Sequence, residues 1–178
     1  MREIGILPDR EIERLAREAE MISPFVAGSV KRGGVSCGLS SYGYDLTLGD
    51  QFMAYEPTGK PIAPGDDASR AMREEKAEEF VLEPHGFVLA HTVEWLKMPA
   101  DVTGIIHDKS TYARLGCALQ NTVIEAGWEG QITLEITNHN ARPVVLRAGC
   151  GIAQIVFHRG VPCRSPYSAR SGKYQEIG

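Results

Sequence analysis

From Phe80 onward the chain is a succession of short β-branched and aromatic runs broken by turn residues: FVLEPHGFVLAHTVEWLKMP, VTGII, ALQNTVI, QITLEIT and PVVLRAGCGIAQIVF. Runs of this length and make-up suit pleated, half-buried strands. No helix-length segment separates them, so a parallel α/β sheet is disfavoured and a β-sandwich or barrel is expected. The 19 Gly and 10 Pro among 178 residues point the same way, towards many turns and few long helices.

The first half is less regular. Asp9 follows Pro8 and is placed to cap a short helix whose apolar positions Ile12, Leu15, Ala16 and Ala19 share a face, with Glu11 and Glu13 near its positive end. Glycines at 33, 34, 38, 43 and 49 then interrupt short apolar pieces, and EPTGKPIAPGDDA (56–68) is a loop by composition. The charged run from Ser69 to Glu79 is expected to lie at the surface, in a helix if it is ordered.

Length and composition suit one domain spanning residues 1–178, with an ordinary hydrophobic fraction of 43%. No apolar run reaches the roughly 18 residues of a membrane span, and the charged beginning lacks a signal-peptide core, so a cytoplasmic protein with no membrane partner is expected. Cys37, Cys117, Cys150 and Cys163 stand apart without metal-ligand spacing and read as reduced, buried thiols. The net charge of −4 is unevenly spread. The first 89 residues carry 10 Lys/Arg against 16 Asp/Glu, the remainder 9 against 7. Between Glu135 and Glu176 there is no acid, but there are Arg142, Arg147, Arg159, Arg164, Arg170 and Lys173. That end would favour an anion. An acidic total with 7% aromatics argues for a small phosphate-bearing molecule and not a nucleic acid.

In QITLEIT the period-two pattern sends Ile132, Leu134 and Ile136 to one face and Gln131, Thr133, Glu135 and Thr137 to the other. A glutamate there needs polar company to do chemistry. Several familiar constellations are missing: the GxxxxGK[ST] phosphate loop, the GxGxxG turn, the GxSxG elbow, and the HxE with PCxxC of zinc nucleobase deaminases. No zinc and no other protein-bound metal is therefore expected.

What is present is Lys109-Ser110-Thr111-Tyr112-Ala113-Arg114, followed by Thr133-Leu134-Glu135, with Thr122, Glu125 and Trp128-Glu129-Gly130 between them. These segments closely resemble the dCTP deaminase branch of the dUTPase-like superfamily. The likeness extends through ILPDREI (6–12), SCGLSSYGYDLTLGDQF (36–52), FVLAHTVEWLKMP (87–99), GIAQIVF (151–157) and GKYQ (172–175). It implies a mainly β fold, a distorted β-barrel or jelly roll of the dUTPase-like type with a short N-terminal helix. It also implies a homotrimer with active sites between subunits and magnesium bound through the nucleotide triphosphate.

The resemblance further implies that Glu135 is catalytic and that Lys109, Ser110, Thr111, Tyr112, Ala113 and Arg114 form the phosphate and positioning segment. Thr133, Leu134, Gln154, Tyr167 and Lys173 join them as substrate contacts. The chemistry suits these types. Replacing an exocyclic amine at C4 requires water to lose a proton and the departing nitrogen to gain one, which a single carboxylate of raised pKa can relay. Without zinc, positioned donors must hold the water and stabilise charge on the ring. Arg114 serves either the water or the pyrimidine side, and Ser110 either the water or a phosphate. Lys109 brings charge to phosphate, Gln154 and Tyr167 neutral donors. Ser40–Asp45 either shapes an intersubunit floor or makes a core turn.

Asp108 stands where the family usually has glycine, so its carboxylate is expected to turn away from phosphate or to be bridged by a cation. Asn121 and Val123 replace family residues beside Thr122, in the stretch around the base, and His91 stands where an arginine is common and reads as structural. The leading expectation is hydrolytic deamination of dCTP to dUTP and ammonia. The alternatives are deamination of dCMP or a modified cytosine deoxynucleotide, dUTP diphosphatase or bifunctional activity, and nucleotide binding without turnover.

Overall fold

A computed structural model describes residues 4–56 and 61–170. In chain order the first seven strands are β1 (Gly5–Ile6), β2 (Ile22–Ser23), β3 (Val30–Arg32), β4 (Val35–Ser40), β5 (Gly43–Tyr55), β6 (Met72–Lys76) and β7 (Glu79–Leu82). They continue with β8 (Phe87–Lys97), β9 (Val102–Asp108), β10 (Cys117–Leu119), β11 (Val123–Ile124), β12 (Glu129–Asn138), β13 (Val144–Arg147) and β14 (Gly151–Arg159). Helix α1 (Asp9–Ala19) opens the chain behind β1, and Ser110–Ala113 forms a single helical turn, α2.

Strand β5 is the spine. Its 13 residues pair antiparallel with β4, β6, β8 and β14 along different parts of their length. The main path runs β10-β12-β8-β5-β14-β9-β11, while β13 and β7 form a separate ribbon. Register shifts interrupt β5/β8 between Leu48 and Phe52, β12/β8 between Gln131 and Thr133, and β14/β5 between Gly151 and Ala153. Such bulges bend a strand and increase its twist, so the sheet curls into the barrel-like, mainly β architecture expected from the strand texture.

The curl brings backbones close. A Cβ at Gly49 would stand 2.8 Å from the His91 carbonyl oxygen, and one at Gly151 only 1.8 Å from that of Ser36. Inside the curl lie Tyr44, Leu46, Leu48, Phe52, Leu96, Leu134, Ile155 and Phe157, all at most 1% exposed. Phe52 stacks on Phe80 with ring centroids 4.8 Å apart. Each such side chain contributes roughly 1.5–3 kcal/mol by leaving water.

Helix α1 packs Ile12, Leu15 and Ala16 into this core, whereas Ala19 stays exposed. Pro8, not Asp9, occupies the N-cap, because proline's extended backbone enters the helix without needing a donor. Asp9 is the first helical residue and its Oδ1 accepts the Arg10 N–H at 2.7 Å. The run from Ser69 to Glu79 is not a helix beyond a 3-10 turn at Ala68–Ala71. Met72–Lys76 pairs with β5 from Tyr55 back to Gln51, and its exposed charges suit an edge strand. Of the four thiols, Cys163 is exposed, contrary to expectation, while Cys37, Cys117 and Cys150 are buried.

Gly151→Ala is expected to lower folding stability by about 3 kcal/mol or more, because backbone oxygen cannot yield as a side chain would. Gly160, whose Cβ would meet nothing within 4 Å, is the control, and Gly160→Ala should stay within about 0.5 kcal/mol. Urea denaturation of both variants checks the contrast.

Candidate active site

Strand β12 realises the alternation read from its sequence. Ile132, Leu134 and Ile136 are in the core, and Thr133 and Glu135 lie half-buried on the opposite face. That face forms one wall of a cavity of about 700 Å³, which also receives Asn121, Thr122, Glu125, Trp128 and Tyr167. The turn before β12 is held tightly. Gly127 adopts φ +77°, the Trp128 N–H donates to the Glu125 carbonyl at 3.1 Å, and the Tyr167 N–H donates to the Ala126 carbonyl at 2.8 Å. A Cβ at Gly127 would stand 2.7 Å from Pro166, so only glycine lets the 166–170 segment dock here and present Tyr167 to the cavity.

Within the cavity wall, Glu135 has a buried Oε2 without a hydrogen-bond partner. Burial pushes its carboxyl pKa above the ordinary glutamate range. Asn121 shows the same feature: Nδ2 donates to the Thr133 carbonyl at 2.7 Å, while Oδ1 is buried and unpartnered. Glu125 is bonded at the rim by Arg170. His91 pairs across the strands with Thr133, its Nδ1 3.5 Å from Thr133 Oγ1, and burial lowers its pKa.

A second polar cluster forms around Asp45 on β5. Its carboxylate is buried and receives Lys109 Nζ at 2.5 Å, Ser36 Oγ at 2.9 Å and Gln154 Nε2 at 3.3 Å. Gln154 Nε2 also lies 3.4 Å from Ser40 Oγ. A buried ion pair needs such extra hydrogen bonds to offset the desolvation of both charges. Lys109 and Gln154 are thus tied to one carboxylate at the base of α2.

The residues singled out from the sequence therefore fall into two groups. Thr133, Glu135 and Tyr167 share the cavity, whereas Lys109 and Gln154 gather at Asp45, and no residue of 109–114 lines that cavity. Ser110, Thr111, Ala113 and Arg114 are exposed on the α2 turn. Tyr112 and Leu134 point their side chains into the core, at 7% and 0% exposure, leaving backbone as their means of contact. Lys173 lies outside the described residues. Asp108 turns its carboxylate to β10, where Oδ1 accepts the Leu119 N–H at 2.7 Å. Within SSYGYD, Tyr44 is buried in the core, Tyr42 is exposed at the hairpin tip, and Asp45 organises the cluster just described.

Three arginines of the acid-free run are taken up in ion pairs. Arg147 pairs with Glu79 at 2.7 Å, buried Arg159 with Glu11 at 2.9 Å, and Arg170 with Glu125. The sequence marks Asp45 only as the end of Ser40–Asp45 and Asn121 only as a departure beside Thr122. Asp45 carries a signal, since it sits between apolar Tyr44 and Leu46 in a strand that is buried throughout its first half. The fixed amide orientation of Asn121 depends on a bond to another strand and carries none.

Residues 6–160 match the family model described as dCTP deaminase-like. The chain is 41% identical over 174 residues to a dCTP deaminase of Herpetosiphon aurantiacus, covering 97% of this chain and 95% of that protein. It is 38% identical over 170 residues to the dCTP deaminase of Gluconobacter oxydans, covering 95% and 93%. The crystal structure of 2'-deoxycytidine 5'-triphosphate deaminase from Agrobacterium tumefaciens superposes with a TM-score of 0.70 at 25% identity over 89% of this chain. The chain spans about half (49%) of that Agrobacterium chain. A family match over most of the sequence and two relatives of nearly equal length show the same thing: this chain belongs to the dCTP deaminase-like family.

Proposed function

We propose that this protein hydrolyses dCTP to dUTP and ammonia. The observation that carries the reading is Glu135, a carboxyl with a raised pKa and an unpartnered buried oxygen, set in a cavity large enough for a nucleoside. Water attacks C4 of cytosine as Glu135 takes one of its protons. Glu135 then returns this proton to the exocyclic nitrogen, the C4–N bond breaks and ammonia leaves; the added hydroxyl's remaining proton passes to N3, and C4 keeps the oxygen as the uracil carbonyl. Thr133 and Tyr167 line the same cavity and hold the nucleoside against this carboxyl.

Charge developing on the ring and the phosphates requires donors, and Ser110 and Arg114 are the exposed ones on α2. They do not line the cavity that holds Glu135 of their own chain. That separation supports a homotrimer in which α2 of one protomer completes the cavity of the next. Asp45 positions α2 through Lys109, so a loop that must meet a second subunit starts from a buried anchor. One domain spanning the chain then forms each protomer, acting on the free deoxynucleotide pool of the cytoplasm.

Among the described residues no three His, Cys, Asp or Glu side chains gather to hold a metal ion. Magnesium prefers oxygen ligands and retains water, so a nucleotide-bound ion would take its shell from phosphate oxygens and water. Glu125 lines the cavity and would share such an ion only on leaving Arg170. When bound, the ion supplies neutralisation of phosphate charge. Among the described residues, no helix is long and apolar enough to cross a membrane.

Incubation with dCTP and magnesium, following ammonia and dUTP, should show stoichiometric release of both with the triphosphate intact by phosphorus-31 spectra. Glu135→Gln should lower kcat by about 10³-fold, within the range for losing a general acid–base. Pyrophosphate in place of ammonia, or near-full activity of the variant, contradicts the reading.

The raised pKa of Glu135 makes a separate statement about stability. Below the unfolded value, about 4.3, both states are protonated and burial has no electrostatic cost. As pH rises through the folded pKa, the folded state alone must hold a desolvated charge. Glu135→Gln should therefore raise the Tm at pH 8 and leave it unchanged at pH 4. An equal change at both pH values would remove the electrostatic explanation.

A further inference from the structure

The deaminase reading needs a way to tell an amine at C4 from the oxygen that replaces it, and Glu135 cannot supply one. A carboxyl with a raised pKa is an acceptor when ionised and a donor when protonated, so it can meet either group. Asn121 has no such freedom. Its Nδ2 is held by the Thr133 carbonyl at 2.7 Å, and turning the amide over would set oxygen against oxygen. Oδ1 is therefore fixed as an acceptor.

Two tethers place this acceptor. The Gln120 N–H donates to the Glu135 carbonyl at 3.0 Å, and Asn121 Nδ2 donates to the carbonyl of Thr133, two residues along the same strand. Asn121 consequently runs beside the Thr133–Glu135 stretch of β12. Both residues line one cavity, and Asn121 Oδ1 and Glu135 Oε2 are each buried without a partner. Two unpartnered acceptors on one wall call for a ligand group with two N–H donors.

We propose that Asn121 is the specificity-determining residue of this cavity: its Oδ1 accepts a hydrogen bond from the exocyclic amine of the cytosine and opposes the carbonyl oxygen of the uracil product. A primary aromatic amine presents two hydrogens in the ring plane, one for each acceptor. Uracil offers only oxygen at that position. Glu135 adapts to it by holding a proton, while Asn121 Oδ1 faces it without a bond. The same atom that selects the substrate thus weakens retention of the product. The inference rests on the deaminase reading but concerns affinity, so the two can fail separately.

The test uses Glu135→Gln, in which turnover is removed and residue 135 can turn its amide to suit either base. Calorimetric affinities for dCTP and dUTP with magnesium are compared in this background, alone and with Asn121→Leu added. With Asn121 intact, dCTP should bind about tenfold or more tighter than dUTP, as expected where a buried acceptor meets no donor. Asn121→Leu keeps the volume and removes the acceptor, and should bring the ratio of the two affinities close to one.

A role confined to holding Thr133 would weaken both nucleotides alike and leave the ratio unchanged in Asn121→Leu, which overturns the proposal. Absence of ammonia release by the unsubstituted protein defeats the deaminase reading alone, because the affinity ratio is read without turnover.

Discussion

The pleat of β12 is the constraint on which the rest of the structure depends. One strand of 10 residues has to serve a sealed core and a polar cavity at once, and only strict alternation permits that. Ile132, Leu134 and Ile136 are 2%, 0% and 1% exposed, and their burial fixes where Thr133 and Glu135 point. A slip of one residue would put a carboxylate in the core and an isoleucine in the cavity. The apolar packing is therefore what holds the carboxyl beneath the surface, and that depth is what raises its pKa.

The curl of the sheet follows from the same economy of space. Bulges at Leu48/Phe52, Gln131/Thr133 and Gly151/Ala153 bend the strands around a core of aromatic and branched side chains, and glycine at 49 and 151 lets backbones meet where no side chain would fit. On β5, Asp45 gathers Lys109, Ser36 and Gln154, so α2 leaves the barrel from a satisfied ion pair. Rigidity at both places matters for the proposed chemistry, which requires donors and a proton carrier to be held in position before water attacks.

Much of this was legible in the residues. Alternation in QITLEIT, the turn-broken strands after Phe80, and the apolar stripe of α1 are local signals, and the structure follows them. What was not legible depended on partners distant in sequence. The acidic and basic residues of Met72–Lys76 resemble a solvated helix until β5 pairs with them. The acid-free run after Glu135 suggests an anion site, yet Arg147, Arg159 and Arg170 find Glu79, Glu11 and Glu125 across the fold. Lys109 and Gln154 read as free contacts because nothing local shows that Asp45 collects them. Asn121 reads only as a departure beside Thr122, because the carbonyl that orients it lies on another strand.

The separation of the α2 donors from the Glu135 cavity within one chain is the central feature of the proposed site, and subunit mixing tests it most directly. Arg114→Ala and Glu135→Gln chains, each inactive alone, would be unfolded together and reassembled in equal amounts. Sites shared between neighbouring protomers would regain about a quarter of full activity, since random assembly pairs an intact Glu135 with an intact Arg114 at that frequency. A mixture as inactive as its parents, with trimers verified by light scattering, would contradict a site built from two chains.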